Sequence, residues 1–438
     1  MHTTVFEYGY LVCNITVCDD SETELISKST FEYLKEVSLS SGESQTHKCL
    51  SLTKRFGHEL IQVKNYVGVL FTPTGEHIEV LPKTGRKSES AEQAKTESRQ
   101  MLLMMLQHLG AFRHVVSNQA SIATKQMPLL EVFIGQFLQS VNILVKRGLK
   151  SDYIAQEGNL HFQKGKLKVS QQIRHNIVNQ HKFYVEYDEY LINRPANRLI
   201  KTALEKLSYY TRVANNQKLL RELLFAFMDV PKSRCVKQDI SALKLGRGMV
   251  DYHSPIAWAK LILDGFSPLS MKGESSALSL LFPMEAVFES YVASILRAQL
   301  KADETLTEQA ASEYLVTHNS KRQFRLKPDL LLNLPGNLTL VLDTKWKLLD
   351  RNAHNYGLSQ SDLYQMFAYG HKYLGGKGDL FLIYPAHQSF EKPIEYSFDF
   401  SDELKLWVVP FVVDCKGNSR LIWPSQFCDA KRCYSLVN

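Results

Sequence analysis

The spacing of apolar residues changes several times along the 438-residue chain. Residues 1–84 read as β-rich. Tyr66 to Phe71 (YVGVLF) and His77 to Leu81 (HIEVL) flank Thr72-Pro73-Thr74-Gly75, as two strands flank a turn. Residues 86–100 (RKSESAEQAKTESRQ) carry no apolar residue larger than Ala, so they form a linker or the exposed start of a helix. From Met101 the period becomes helical, in MLLMMLQHL and then LLEVFIGQFLQSVNILV, which stops at Lys146-Arg147-Gly148. Asn197 to Leu207 and Gln217 to Met228 predict further helices, and Pro283 opens one through Leu300. From Arg322 the order is strand, turn, strand, helix, strand. These patterns predict an α+β multidomain chain: a β-rich N-terminal region with linker over 1–100, a mainly helical central domain over 101–275, and an α/β domain over 276–438.

The last of these holds the most specific pattern. Arg325 to Asp343 contains two apolar runs around Pro335-Gly336-Asn337, a short hairpin loop. With Gly336 as centre, Leu334 faces Leu338, Asp329 faces Asp343, and Lys327 faces Lys345. Opposed residues share a face, with Cβ atoms about 4.5–5.5 Å apart. One face then carries Lys327, Asp329, Leu331 and Asn333 with Thr339, Val341, Asp343 and Lys345. The other, Leu326, Pro328, Leu330, Leu332 and Leu334 with Leu338, Leu340, Leu342, Thr344 and Trp346, is nearly all apolar and predicts core.

Two adjacent carboxylates repel unless a cation lies between them. Hard oxygen ligands suit Mg²⁺ or Mn²⁺, usually held by one or two carboxylates together with water and substrate phosphate. A lysine beside them can orient the attacking water, an arrangement suited to phosphodiester hydrolysis. The alternative is a solvated hairpin edge with Lys345 paired to an aspartate.

Pro328-Asp329 followed by Asp343-Thr344-Lys345 resembles the PD-(D/E)xK nuclease core. Asp362-Leu-Tyr-Gln365-Met-Phe-Ala-Tyr369 is similar to the QxxxY helix of its RecB-like branch, with Gln365 and Tyr369 on one helical face and Ser359 as its start. Most of the chain resembles the McrC family, the endonuclease subunits of McrBC-type restriction systems directed at 5-methylcytosine. The matching segments are Lys146-Arg147-Gly148-Leu149 with Asp152-Tyr153, Lys164 to Leu167 with Ile173-Arg174, Asn193 to Leu204, and Phe381 to Pro385. The N-terminal 80 or so residues depart most from the family. The resemblance implies a C-terminal restriction-endonuclease-like domain with Asp329 and Asp343 on the metal and the Thr344 carbonyl as a further ligand. Lys345 would position water, supported by Gln365 and Tyr369. Glu289, beside the apolar stripe of its helix, would be an extra acidic ligand. It also implies a DNA substrate, an N-terminal region that contacts the partner, and a hexameric McrB-like AAA+ GTPase or ATPase as that partner. No GxxxxGK[ST] occurs, so no nucleotide site is expected on this chain. Two other readings remain open at this point, a RecB-like repair nuclease and a non-catalytic adaptor that activates an AAA+ motor.

Charge modifies the picture only locally. Lys and Arg number 52 against 45 Asp and Glu, a net +7 that permits a polyanionic partner. Residues 146–182 concentrate eight cations against Asp152 and Glu157, a candidate phosphate-contacting surface or a solvated loop. Arg174, Asn197 and Arg198 are expected to stabilise the central fold. Leu129 to Val145 is broken by Glu131, Gln136, Gln139 and Asn142 and reads as amphipathic rather than membrane-spanning. Seven unevenly spaced cysteines without a CxxC pair, and no signal-like N-terminus, predict reduced, mostly buried thiols in a cytoplasmic protein.

Overall fold

The computed structural model describes residues 2–13, 22–39, 49–55, 57–72, 75–83, 90–109, 127–264, 279–415 and 417–427. The chain forms two compact units, Met1–Gln126 with Phe266–Asn438, and Met127–Gly265. The first and last stretches read from the sequence therefore share one unit. Mixed α/β composition with several sheets is what the hydrophobic periods predict.

The N-terminal strands are β1 (His2–Phe6), β2 (Tyr10–Val12), β3 (Thr23–Leu25), β4 (Leu50–Arg55), β5 (His58–Val63), β6 (Tyr66–Phe71) and β7 (His77–Leu81). The last two have the bounds that the alternation predicts. One sheet has the order β3-β2-β5-β4; β1, β7 and β6 begin another, which the strand Ser279–Pro283 completes. A helix absent from the sequence reading, α1 (Lys28–Leu39), buries Phe31, Leu34 and Val37 in a core with Val5, Leu11, Ile61, Leu70, Ile78, Val80 and Leu281. Helix α2 (Ala91–Leu106) starts inside the polar stretch, where Ser90 Oγ accepts from Gln93 N at 3.2 Å. Its Arg99 grips buried Glu79 of β7 with two bonds of 2.6 and 2.7 Å. That fork outweighs the burial of Glu79 and holds its carboxyl below the usual range.

The second unit is built on α3 (Leu129–Arg147), which has the length and composition of a membrane span but packs most of that surface within its own unit. Buried Glu131 explains why an acid belongs there. Its carboxylate accepts from Thr211 Oγ1 at 3.0 Å, Val213 N at 3.2 Å and Asn216 Nδ2 at 2.7 Å, and from Arg212 N. It thereby satisfies free N–H groups where a later helix begins. Beyond Gly148, whose φ of 91° ends α3, the chain is not loop. Strands β8 (Asp152–Leu160), β9 (Lys166–Leu167) and β10 (Phe183–Leu191) form an antiparallel sheet of order β8-β10-β9, with α4 (Val169–Asn176) between the last two. The central domain is therefore helical with a sheet inserted. The sheet also changes the charge reading. Lys168 pairs with Glu157 and with Glu186 at 3.3 Å, Lys164 lies 4.0 Å from Glu189, and Arg194 lies 3.2 Å from Asp152. Acids at 186, 188 and 189, just past the basic window, offset its excess once the strands pair.

Helices α5 (Pro195–Leu207), α6 (Ala214–Ala226), α7 (Val236–Ser241) and α8 (His253–Asp264) complete this unit. Arg198 and Asn197 stabilise it as expected. The guanidinium bonds Asp239 at 2.5 and 3.0 Å, and fully buried Asn197 donates to Lys150 O and Ile192 O and accepts from Tyr252. Of the described cysteines only Cys49 is buried; Cys13, Cys235 and Cys415 are exposed, contrary to the expectation of mostly buried thiols.

The C-terminal part of the first unit runs β11 (Ser279–Pro283), α9 (Met284–Gln299), β12 (Thr305–Glu308), β13 (Tyr314–His318), β14 (Lys321–Arg325), β15 (Leu330–Leu334), β16 (Leu338–Thr344), α10 (Gln360–Tyr373), β17 (Gly378–Pro385), β18 (Phe398–Asp399), β19 (Leu404–Val412) and β20 (Arg420–Leu421). The main sheet has the order β12-β15-β16-β17-β19-β18, with β20 on β19. Strands β16, β17 and β19 are mutually parallel, and β15 is antiparallel to β16. Helix α9 covers one face, with Phe288 packed on Trp346 and Phe411 at ring distances of 5.2 and 5.9 Å. Helix α10 covers the other, burying Met366 and Tyr369 with Val341, Leu380 and Leu382. Both faces of the central strands are thus core, whereas the hairpin read alone predicts one. Gly370 lies close on the sheet, where a Cβ would be 2.7 Å from Leu404 Cδ2 and would make that side chain shift.

The N-terminal strands join the C-terminal part through β11, whose Leu281 pairs with Gly68 of β6. Gly68 has φ +131°, and a Cβ on it would meet Leu280 O at 1.9 Å. Backbone cannot yield that space cheaply. Gly68→Ala is expected to destabilise the first unit by roughly 2–4 kcal/mol, seen as a lower urea midpoint, while the melting of the second unit stays put. A Gly68→Ala protein with the parent's midpoint would contradict this account of the pairing.

Candidate active site

The hairpin register is the one the sequence implies. Leu334 pairs with Leu338, Asn333 with Thr339, and Leu330 with Leu342. The next pair outward is Asp329 and Asp343, but here the ladder changes character. Strand β15 begins at Leu330, and instead of a backbone bond Asp329 Oδ2 accepts from both Thr344 N and Thr344 Oγ1, each at 2.7 Å. A carboxylate thus takes the place of a backbone acceptor at the strand end. Thr344 orients Asp329 through its amide and hydroxyl, a role the sequence reading did not assign.

Asp343 lies at the parallel junction of β16 with β17, opposite Leu382. Its side chain is 1% exposed. Lys345 Nζ lies 2.7 Å from Oδ2, a close ion pair. Burial first, and the neighbouring Asp329 second, push the Asp343 carboxyl up to about 7. Burial raises Asp329 too, opposed by its two bonds from Thr344.

The remaining predicted residues reach the same place from other elements. Lys345 Nζ donates to Gln365 Oε1 at 3.2 Å; Gln365 Nε2 donates to Tyr369 OH at 2.7 Å; Tyr369 OH donates to Lys327 O at 2.8 Å. This series links one face of α10 to both strands of the hairpin. Ser359 caps that helix as expected, accepting from Asp362 N at 3.1 Å. Asp362, read from the sequence only as part of the helix start, also lies 4.0 Å from Lys345 Nζ. Burial opposes the charge of Lys345, but Asp343, Asp362 and Asp329 outweigh it and hold the ammonium above the ordinary lysine range. Glu289 of α9 accepts from Gln309 Nε2 at 2.9 Å. Burial, then the charge of Asp329, pushes its carboxyl to about 7.

Glu7 could not have been picked from the sequence. It is buried, and its Oε1 accepts from Trp346 Nε1 at 2.6 Å, one residue past Lys345. A cleft of about 560 Å³ opens on this side, lined among others by Glu7, Tyr8, Lys83, Glu285, Lys345 and Trp346. The contact spans 339 positions, and no local pattern around Glu7 marks it.

The donor set fits a hard divalent cation. Two buried carboxylates side by side face a close ammonium, and they carry more negative charge than Lys345 alone offsets. Among the described residues no three His, Cys, Asp or Glu side chains converge into a closed ligand cluster, so Glu289 is near the pair without joining it. A cation held by two carboxylates would need water or phosphate oxygens to complete its shell.

Residues 61–385 match the family described as McrBC 5-methylcytosine restriction system component. No curated protein matches the chain. Among solved structures, the fold is similar to a chain of the "Refined half-complex from tetradecameric assembly of Thermococcus gammatolerans McrB AAA+ hexamers with bound McrC". The TM-score is 0.66 at 18% identity, covering 95% of this chain and 96% of that one. A chain of the "Cryo-EM structure of the Thermococcus gammatolerans McrBC complex" aligns at TM-score 0.47 and 20% identity, over 69% of this chain and 88% of that one.

The raised Asp343 carboxyl has a definite consequence for stability. Without metal the folded site favours the protonated form, so its contribution is full below about pH 4 and is lost as pH rises through about 7. Asp343→Asn is expected to raise the thermal midpoint of the metal-free protein by roughly 5 °C at pH 8, with the gain shrinking toward pH 4. A gain independent of pH, or a loss at pH 8, would overturn this reading of the pair.

Proposed function

The chain belongs to the McrBC 5-methylcytosine restriction system component family, and from that premise we propose that it is the Mg²⁺-dependent endonuclease subunit of such a system. Its substrate is DNA, its nuclease core is of the PD-(D/E)xK type, and its activator is a hexameric McrB-like AAA+ NTPase. The observation that carries the reading is the Asp343 carboxylate, buried beside Asp329 with the Lys345 ammonium 2.7 Å away. A nuclease has a use for such a costly arrangement; an adaptor has none. The fold shared with a McrC chain bound to McrB hexamers supports the choice of partner. The setting is a cytoplasmic one.

Asp329 and Asp343 would hold the cation, with the Thr344 carbonyl as a candidate further ligand; Glu289 lies near the pair without joining it. When bound, Mg²⁺ supplies positive charge for the scissile phosphate and lowers the pKa of a water. The chain's own residues do the positioning. Thr344 fixes Asp329 through two bonds. Lys345, held above the ordinary lysine range, stays cationic at neutral pH. It therefore acts by orienting the attacking water and offsetting phosphate charge rather than by taking a proton. Gln365 and Tyr369 fix where its ammonium points. Asp362 adds negative charge that keeps Lys345 protonated.

Cleavage of a 5-methylcytosine-containing duplex, with Mg²⁺, an AAA+ partner and its nucleotide, provides the test. Asp343→Ala and Lys345→Ala are each expected to lower the rate by about 10²–10³-fold, and Gln365→Ala by about 10–100-fold. Stimulation of the partner's NTPase should persist in all three. An Asp343→Ala protein that still cuts would sink the assignment, and a wild-type complex that never cuts with Mg²⁺ would favour the adaptor.

A further inference from the structure

Strands β13 and β14 stand apart from the rest of the C-terminal part. Among the described residues they pair only with each other, from Tyr314 opposite Arg325 to His318 opposite Lys321. Apart from half-buried Tyr314, every residue of the ribbon is exposed, including Leu315, Val316 and Phe324. An isolated two-stranded ribbon is marginal in water and adds no core of its own. Its chemistry is one-sided as well. From Leu315 to Pro328 the chain has Lys321, Arg322, Arg325 and Lys327 and no acid.

Two features show order rather than loose solvation. The Arg322 and Arg325 guanidinium groups sit over the Tyr314 ring at 6.0 and 5.8 Å, which fixes their positions before any ligand arrives. Phe324 has φ +57°, a left-handed conformation costly for a bulky residue, and the residue is 70% exposed. Strain that leaves an aromatic ring in water finds its use when something covers the ring. The ribbon is also tied to the site. Tyr373 OH lies 2.8 Å from Ala310 O and 3.0 Å from Leu326 O, at the feet of its two legs. Four residues past Arg325 comes Asp329.

We propose that the 314–325 ribbon is a duplex-DNA contact, lying in a groove of the DNA whose backbone crosses the Asp329–Asp343 pair, with Lys321 and Arg322 at phosphates and Phe324 against sugar and base edges. The major groove admits a two-stranded ribbon, and neutralised phosphates suit a cationic, acid-free one. Duplex DNA is favoured over a protein because the ribbon continues into the strand leading to the carboxylates, so whatever lies on it passes the site. The proposal rests on the nuclease reading for the identity of the substrate.

The test compares the full-length parent with Lys321→Gln/Arg322→Gln, Arg322→Lys and Phe324→Ser. Fluorescence anisotropy follows binding to a duplex of about 30 bp in Ca²⁺, across roughly 50–200 mM salt. The double variant is expected to weaken binding at least tenfold and to flatten the log Kd against log salt slope by about 2, near 0.9 per lost phosphate contact. Arg322→Lys should keep the parent slope, and Phe324→Ser should weaken binding with the slope unchanged. A double variant with the parent's Kd and slope overturns the proposal. So does intact DNA binding with lost stimulation of the AAA+ partner, which would make the ribbon a protein contact. A parent that binds duplex but never cuts with Mg²⁺, the AAA+ partner and its nucleotide defeats the nuclease reading, while the slope still decides the ribbon. A parent that binds no duplex defeats both.

Discussion

The Asp343 carboxylate is shielded from water and lies beside another carboxylate, with the Lys345 ammonium close to it. Burial and repulsion both act against its charged form, so the surroundings must hold it where it would not otherwise go. Three features do so. The parallel pairing of β16 with β17 fixes its backbone on both sides, through Leu382 and through Lys345 N bonded to Ile383 O at 2.9 Å. Thr344 restrains Asp329 and keeps the pair together. Lys345 supplies a close positive charge, itself steered by Gln365.

That arrangement explains several choices elsewhere. Helix α10 must lie close on the sheet for Gln365 to reach Lys345, and Gly370 gives it the room. Tyr369 and Tyr373 continue the same helical face and grasp the carbonyls of Lys327 and Leu326 on the approach to Asp329. The N-terminal strands take part as well. Gly68 lets β11 pair with β6, α9 follows directly, and Glu7 holds the Trp346 indole one residue past Lys345. A segment with no catalytic residue of its own thus packs against the strand end that carries the lysine.

Much of the site was legible because it is local. Asp329, Asp343 and Lys345 fall on one hairpin whose register follows from Gly336 and the two leucine runs, and Gln365 and Tyr369 are one helical turn apart. Features that depend on distant partners were not legible. Glu7 meets Trp346 across 339 positions, and Thr344 turns to Asp329 only because β15 starts one residue later. The net charge of the basic window at 146–182 was hidden for a related reason. Of its counter-charges, Glu186 and Glu189 lie on β10, outside the window and adjacent only once the strands pair.

Periodicity and turn chemistry alone were enough for β6, β7, α3, α9, the carboxylate hairpin and the α10 cap, because each is set by residues a few positions apart. Helix α1 and the sheet β8-β10-β9 escaped that reading, since short apolar stripes and charged strands gain their stability from what they pack against. Which faces are buried, whether a carboxylate meets a donor or another carboxylate, and how high its pKa is driven belong to the tertiary structure. Desolvation and Coulomb forces act through space, and only folding sets those distances.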